Sequence, residues 1–489
     1  MRRLPDPVTG ATAVLGLLVV LWSVAVPLYR AVDEPQHLST ALRLADGGGY
    51  PPPGSARLVA QVAASYPFAD FPGGDERTFV ATVQVRAEPP ARFPSLRELR
   101  SLPVPPDQAD QADQMTQHPP LWPLLAAGEI RALRLEDVPA DLAVVLLRLL
   151  QGALLLPLPW LAARTARLLG ATAAGQGAAA FLPVAVPQLL HIGASVTDGD
   201  LLLVEFAALT PLLVLMARGD RRLRVTGAVG LLLAAALLTK AFALALLPFA
   251  LLAVVLGRRN PGAGRAATTV GGLALLGGWW YPWRILHDGA LQPSGYPPGV
   301  VAMLRGSVPA GQAVEVFTGS LLKTAWVDLG WLETPAPFRV VLPVWATVTV
   351  LVLVGVLRAR RRVEALLVLV PVVVLVAMVV LAGVSTWSRL HSVLGAQGRY
   401  LFPGLTGVAA VAGTALSGRR AAGLPLLTVA SHALTLHLAG VHFWHGGTAA
   451  QLDWSPLPVP LLAGCAAGAV LLCLTATAGL LRPAGPPRP

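Results

Sequence analysis

A succession of about twelve apolar segments, each near the length of a bilayer crossing, leaves this chain of 489 residues little choice of architecture. The segments lie near 11–29, 141–163, 172–191, 200–217, 224–239, 241–257, 266–284, 338–357, 364–384, 400–416, 422–440 and 458–480. A helix needs roughly 20 residues to cross about 30 Å of hydrocarbon. Only 13% of residues are charged and the mean hydropathy is +0.64, whereas a soluble protein carries about a quarter charged residues. Such a chain cannot cover a water-facing surface. The segment after Met1-Arg2-Arg3 is long enough to span and no small-x-small cleavage site follows it, so it reads as a retained first span. Cys465 and Cys473 both fall in the last apolar run, where they read as small core residues and not as a disulfide framework.

The net charge of +11 would suggest nucleic acid in a soluble protein. Here the arginines cluster in alternate short connections, which excludes that reading and points to orientation instead. The clusters are Arg164 and Arg167; Arg218, Arg221, Arg222 and Arg224; Arg258, Arg259 and Arg265; Arg358, Arg360, Arg361 and Arg362; Arg419 and Arg420; Arg482 and Arg488. With both termini cytoplasmic, every cluster falls on the cytoplasmic side. The expected molecule is an all-α bundle, residues 1–489 forming one transmembrane domain. Two long extracytoplasmic loops, 30–140 and 285–337, carry surface helices near 34–46, up to Leu133, and near 312–326. All nine histidines and most of the twelve tryptophans are expected on that outer side. Trp279, Trp280 and Trp283 fit an interfacial belt there.

Candidate chemistry gathers on the same side. Asp33-Glu34 follow the first span directly, with His37 one helical turn on, the placement of a general base mounted on a firm element. The only two lysines, Lys240 and Lys323, also fall outside, and Lys240 sits in a tight hairpin where a charge needs a partner. Arg399 begins a late span, where a guanidinium could grip phosphate oxygens. Arg148 lies inside the second span and must be paired, either structurally with an acidic loop residue or with substrate. Asp198-x-Asp200 resembles a metal-binding pair, although acids at a helix start more often cap it. His442 and His445 lack a third ligand of convincing spacing and read as interfacial.

The segments Val32-Asp33-Glu34-Pro35-Gln36-His37, His118-Pro119-Pro120-Leu121-Trp122, Ser195-Val196-Thr197-Asp198, Leu238-Thr239-Lys240, Trp326 to Trp331, and Gln397-Gly398-Arg399-Tyr400 occur in order through about residues 30–405. This set resembles a bacterial family of predicted multi-span membrane proteins of undefined substrate, and the acidic turn resembles that of GT-C membrane glycosyltransferases, the group containing the protein O-mannosyltransferases. One departure is that the resembled pattern has its acid where Gly199 stands, between Asp198 and Asp200. The resemblance implies a GT-C-like bundle in a bacterial plasma membrane. It implies sugar transfer from a polyprenyl-phosphate donor to an extracytoplasmic glycan, lipid or protein acceptor. Asp33 and Glu34 would then be catalytic. His37, His118, Arg148, Asp198, Asp200, Lys240, Trp331, Gln397, Arg399 and Tyr400 would bind substrate. A divalent metal is left open. The competing expectations are a lipid or polysaccharide transporter or flippase, with paired broken spans in related halves, and an envelope assembly protein that kept the fold without catalysis.

Overall fold

The computed structural model describes residues 6–72, 84–106, 108–258 and 261–481; Met1-Arg2-Arg3, Arg259, Arg482 and Arg488 lie outside them. Every apolar segment is helical, and the one sheet among the described residues is a two-stranded ribbon pairing Asp328–Leu329 with Thr334–Pro335. The helices used below are α1 (Pro7–Ala25), α2 (Glu34–Ala45), α3 (Leu121–Ala132), α4 (Ala140–Ala153), α5 (Leu158–Leu168), α6 (Ala173–Val184), α7 (Pro187–Gly193), α8 (Gly199–Ala217), α9 (Leu223–Thr239), α10 (Leu246–Leu256), α11 (Ala263–Gly278), α12 (Ala310–Thr324), α13 (Phe338–Arg358), α14 (Val370–Leu390), α15 (Leu405–Ala415), α16 (Gly423–Phe443) and α17 (Val459–Leu481).

The protein is an all-α membrane protein, with fewer full-length spans than hydropathy suggests. Among the described residues, seven helices are long and apolar enough to cross a bilayer, or eight if α6 and α7, bent by 58° at their junction, form one span. The remaining apolar segments are helical but short: α9 has 17 residues, α11 has 16 and α15 has 11. Hydropathy reads composition and cannot see where a helix stops, so it counts a short helix and a full span alike.

Packing follows the rules of lipid, where small residues let backbones approach. Gly175 of α6 and Gly413 of α15 face each other so closely that a Cβ on either would strike the other's carbonyl oxygen. At the periphery only 11% of the spanning window of α13 is buried, leaving its apolar side chains to lipid.

The bend between α6 and α7 comes before Pro187, which has no N–H to continue the ladder. The freed carbonyls find side chains of α16. Ser431 Oγ donates to the Ala185 carbonyl, and His432 Nε2 lies 2.8 Å from the Val184 carbonyl. The other ring nitrogen accepts from Trp22 Nε1 at 2.9 Å. His432 is therefore a helix-break satisfier in mid-span, and His437 also lies within α16. This corrects the expectation that all histidines lie outside the spans.

The two ends of the bundle differ. At one end the arginine-bearing connections meet. Arg218 pairs with Glu364 and donates to the Leu168 carbonyl, while Arg358 donates to the Ala415 carbonyl at 2.9 Å. The alternate connections 165–172, 218–224, 358–364 and 415–420 thus share an end, as their charge pattern requires. The opposite end is capped by parts of 30–140 and 285–337 that touch one another, with Trp331 Nε1 donating to the Tyr29 carbonyl and Arg30 pairing with Glu333.

Candidate functional site

The chain leaves α1 through a tight turn in which Tyr29 and Asp33 take left-handed backbone conformations, with φ of 67° and 63°. Asp tolerates this region better than most side chains because its carboxylate can bond locally. The turn points Asp33 and Glu34 to opposite fates. Glu34 is fully buried and its carboxylate accepts four hydrogen bonds: two from Arg148, one from Tyr29 N and one from Val196 N. A carboxylate offers about four acceptor positions, so none remains.

Arg148 is equally committed. Its five N–H groups reach Glu34 and the carbonyls of Ser23, in the last turn of α1, and of Val26 and Pro27 just past it. The pair caps α1, anchors the acidic turn and ties it to the start of α8. Glu34 and Arg148 thus form a structural lock that uses every bonding position of both, the structural one of the two alternatives expected for Arg148. Trp331 is likewise occupied in holding the Tyr29 carbonyl from the second loop.

Asp33 faces the other way and is partly open. Its Oδ2 accepts from Arg399 Nη2 at 2.8 Å and its Oδ1 from Gln114 Nε2 at 3.2 Å. Arg399 lies in the 3₁₀ turn Gly398–Gly404 that leads into α15. A second ion pair joins Lys240 Nζ to Asp198 Oδ1 at 2.6 Å, linking the end of α9 to the start of α8. His37 Nε2 lies 3.8 Å from the same Asp198 oxygen, and its ring meets Trp122 edge-on.

Two cavities adjoin at these pairs. One, of about 480 Å³ including its open side, is walled by Asp200, Lys240, Arg399, Tyr400, Phe242 and apolar residues of α7 and α8. Tyr400 and Phe242 stack there at 4.9 Å. The other, of about 200 Å³, is lined by His37, His118, Asp198 and Trp122 among others. Burial depresses His37 to about 4 and His118 to about 3; Asp198 opposes this and Lys240 reinforces it. Both rings are therefore neutral near pH 7, able to hydrogen-bond without adding charge.

Three acidic side chains, Asp33, Asp198 and Asp200, thus share the site with two cations, Lys240 and Arg399. Some bonding capacity is left over: Arg399 Nε, Asp198 Oδ2, Asp200 Oδ2 and His118 Nδ1 are buried without a hydrogen-bond partner among the described residues. Such groups cost free energy unless a ligand or water meets them. Asp198 is engaged by an ammonium, and no group of three or more His, Cys, Asp or Glu among the described residues has metal-site geometry.

Of the expected site residues, the fold brings together Asp33, His37, His118, Asp198, Asp200, Lys240, Arg399 and Tyr400. Gln397 is buried beside them without lining either cavity. Two participants went unforeseen. Gln114 belongs to a 3₁₀ turn capped by Asp113, and Phe242 begins just past Lys240. Neither carries a signal in sequence, since an amide and a phenyl ring announce no chemistry until their neighbours are known.

Comparison with curated proteins and with solved structures finds no match for this chain. A family model described as a predicted membrane protein, DUF2142, matches residues 15–408. That stretch runs from α1 through the acidic turn and both ion pairs into α15. It covers well over half of the 489 residues, so the chain belongs to the DUF2142 family of predicted membrane proteins.

Proposed function

We propose that this protein is a membrane glycosyltransferase that moves a sugar from a polyprenyl-phosphate donor to an acceptor hydroxyl at the extracytoplasmic face. One observation carries the reading: a partly open carboxylate, Asp33, beside a cavity walled by Lys240 and Arg399 at the end of the bundle away from the arginine connections. The likeness of the acidic turn to GT-C enzymes agrees with it.

In this reading Asp33 takes the proton from the acceptor hydroxyl as its oxygen attacks the anomeric carbon. The bond from that carbon to the phosphate oxygen breaks, and its electron pair leaves on the phosphate. Lys240 and the free Nε of Arg399 meet the charge developing there, the arrangement in which fixed donors contribute most. The unpartnered His118 Nδ1 and Asp200 Oδ2 are the groups this reading assigns to sugar hydroxyls. The positive-inside pattern of the arginines supports a cytoplasmic position for the opposite end, and the resemblance implies that the membrane is a bacterial plasma membrane.

The decisive variant is Asp33→Asn, which keeps the left-handed backbone accessible. Membranes containing it should insert the protein normally and transfer no glycan to the extracytoplasmic acceptor pool. Unchanged product would sink the reading. A second reading, a lipid transporter, draws on the bent α6–α7 pair and the buried acids Asp200 and Glu205. A transporter of the inverted-repeat kind has broken spans in both halves, and one bent pair occurs among the described residues.

A further inference from the structure

A different cavity, of about 950 Å³ including its open side, lies between the short helix α12 and the span α14, which run side by side in opposite directions. Its walls are apolar: Val314, Phe317 and Leu321 from one helix, Val380, Val384 and Trp387 from the other. No charged side chain lines it, and the Trp387 indole N–H is spent on the Val308 carbonyl at 2.9 Å. Phe317 lies so close to α14 that a Cβ on Gly383 would strike its ring. An apolar span surface is ordinary in lipid. A concave apolar groove, bounded on one side by a helix too short to span, is less so.

The groove's position says what would fill it. Two hydrogen bonds tie α12 to the backbone that carries Arg399. Ser320 Oγ donates to the Ala396 carbonyl at 2.7 Å, and Gly398 N donates to Thr324 Oγ1 at 2.5 Å. Leu321, on the groove wall, stands between those two anchors. One end of a hydrocarbon-lined trough thus lies beside a cavity that presents a guanidinium and an ammonium. An amphiphile with an anionic head and a long chain matches both ends at once.

We propose that the α12–α14 groove holds the hydrocarbon chain of a phosphate-bearing polyprenyl lipid whose head group occupies the Lys240–Arg399 cavity. The inference rests on the preceding reading of that cavity. It adds that chain length is recognised, through α12, by the turn that carries Arg399. A short-chain phosphate can fill the head site and leave the groove unused.

The full chain in phosphatidylcholine nanodiscs would be titrated with undecaprenyl monophosphate and, separately, with geranyl monophosphate. The wild type should prefer the long chain by about tenfold or more, roughly 1.4 kcal/mol. Val384→Trp, which fills the groove, should bring long-chain binding down to the geranyl level and leave geranyl binding unchanged. Val314→Trp, at a largely exposed position of α12, should do the same and guards against misfolding of the first variant. Equal wild-type affinities, or a chain-length preference surviving both variants, would overturn the groove. Arg399→Gln should weaken both ligands alike. If it weakens neither while the tryptophan variants still erase the preference, the head-group reading fails on its own.

Discussion

At the level of single residues, two adjacent acids sit in opposite surroundings, one locked and buried and one partly open, and the sequence alone could not divide them. That Arg148 needed a partner was legible from its place in an apolar run. That the partner would be Glu34 and not Asp33 depended on a left-handed turn that composition does not encode. The lock makes a sharp prediction. Removing one member leaves a buried, unpaired charge, so Glu34→Gln or Arg148→Met should each cost about 3–5 kcal/mol. The double variant should lose less than the sum of the two, as read by thermal melts in detergent.

Asp113 gives a pH-dependent case in the cap. It accepts hydrogen bonds from the Ser39 and Thr40 hydroxyls and from Met115 N, yet burial still lifts its carboxyl from 3.8 to about 6. A group raised in the folded state stabilises fully below its unfolded value, and that contribution is lost as pH rises through the folded value. The cap should therefore weaken from pH 4 to pH 7 by an amount of the order of 3 kcal/mol. Asp113→Asn should flatten that slope in melts followed across this range.

At the level of helices, the bend at Pro187 shows why a histidine belongs in the middle of a span. Deleting the ring in His432→Leu strands the Val184 carbonyl and the Trp22 N–H where no water can replace it. The expected loss is about 2–3 kcal/mol, with partial recovery in His432→Gln, measured by unfolding in detergent. Sequence reading located the apolar runs well and their lengths poorly. The 3₁₀ turns at Ala241–Ala245 and Gly398–Gly404 shorten α10 and α15, and both turns sit beside the charged residues they help to place. The bond from the Trp331 N–H to the Tyr29 carbonyl was illegible for a related reason, since it joins two loops some three hundred residues apart in sequence.

For the whole molecule, order along the sequence became proximity in space. Motifs near residues 33, 118, 198, 240 and 399 converge at one end, which the alternation of arginine clusters already required of any consistent topology. The proposed orientation is tested by single cysteines introduced in a background lacking Cys465 and Cys473. A cysteine at Arg360 should resist an impermeant maleimide in intact cells, and one at Ser294 should react; the reverse pattern would invert the molecule.

The mutual pairing of the charges at the site also governs how a ligand arrives. Lys240 and Arg399 already hold Asp198 and Asp33, so little positive field extends into solvent. Fast electrostatic capture depends on such a field and fades with salt. Association of an anionic lipid should therefore show almost no ionic-strength dependence. Its rate should instead scale with surface density in the bilayer, because the encounter is a two-dimensional search along the membrane and not a fall down a potential from the aqueous phase.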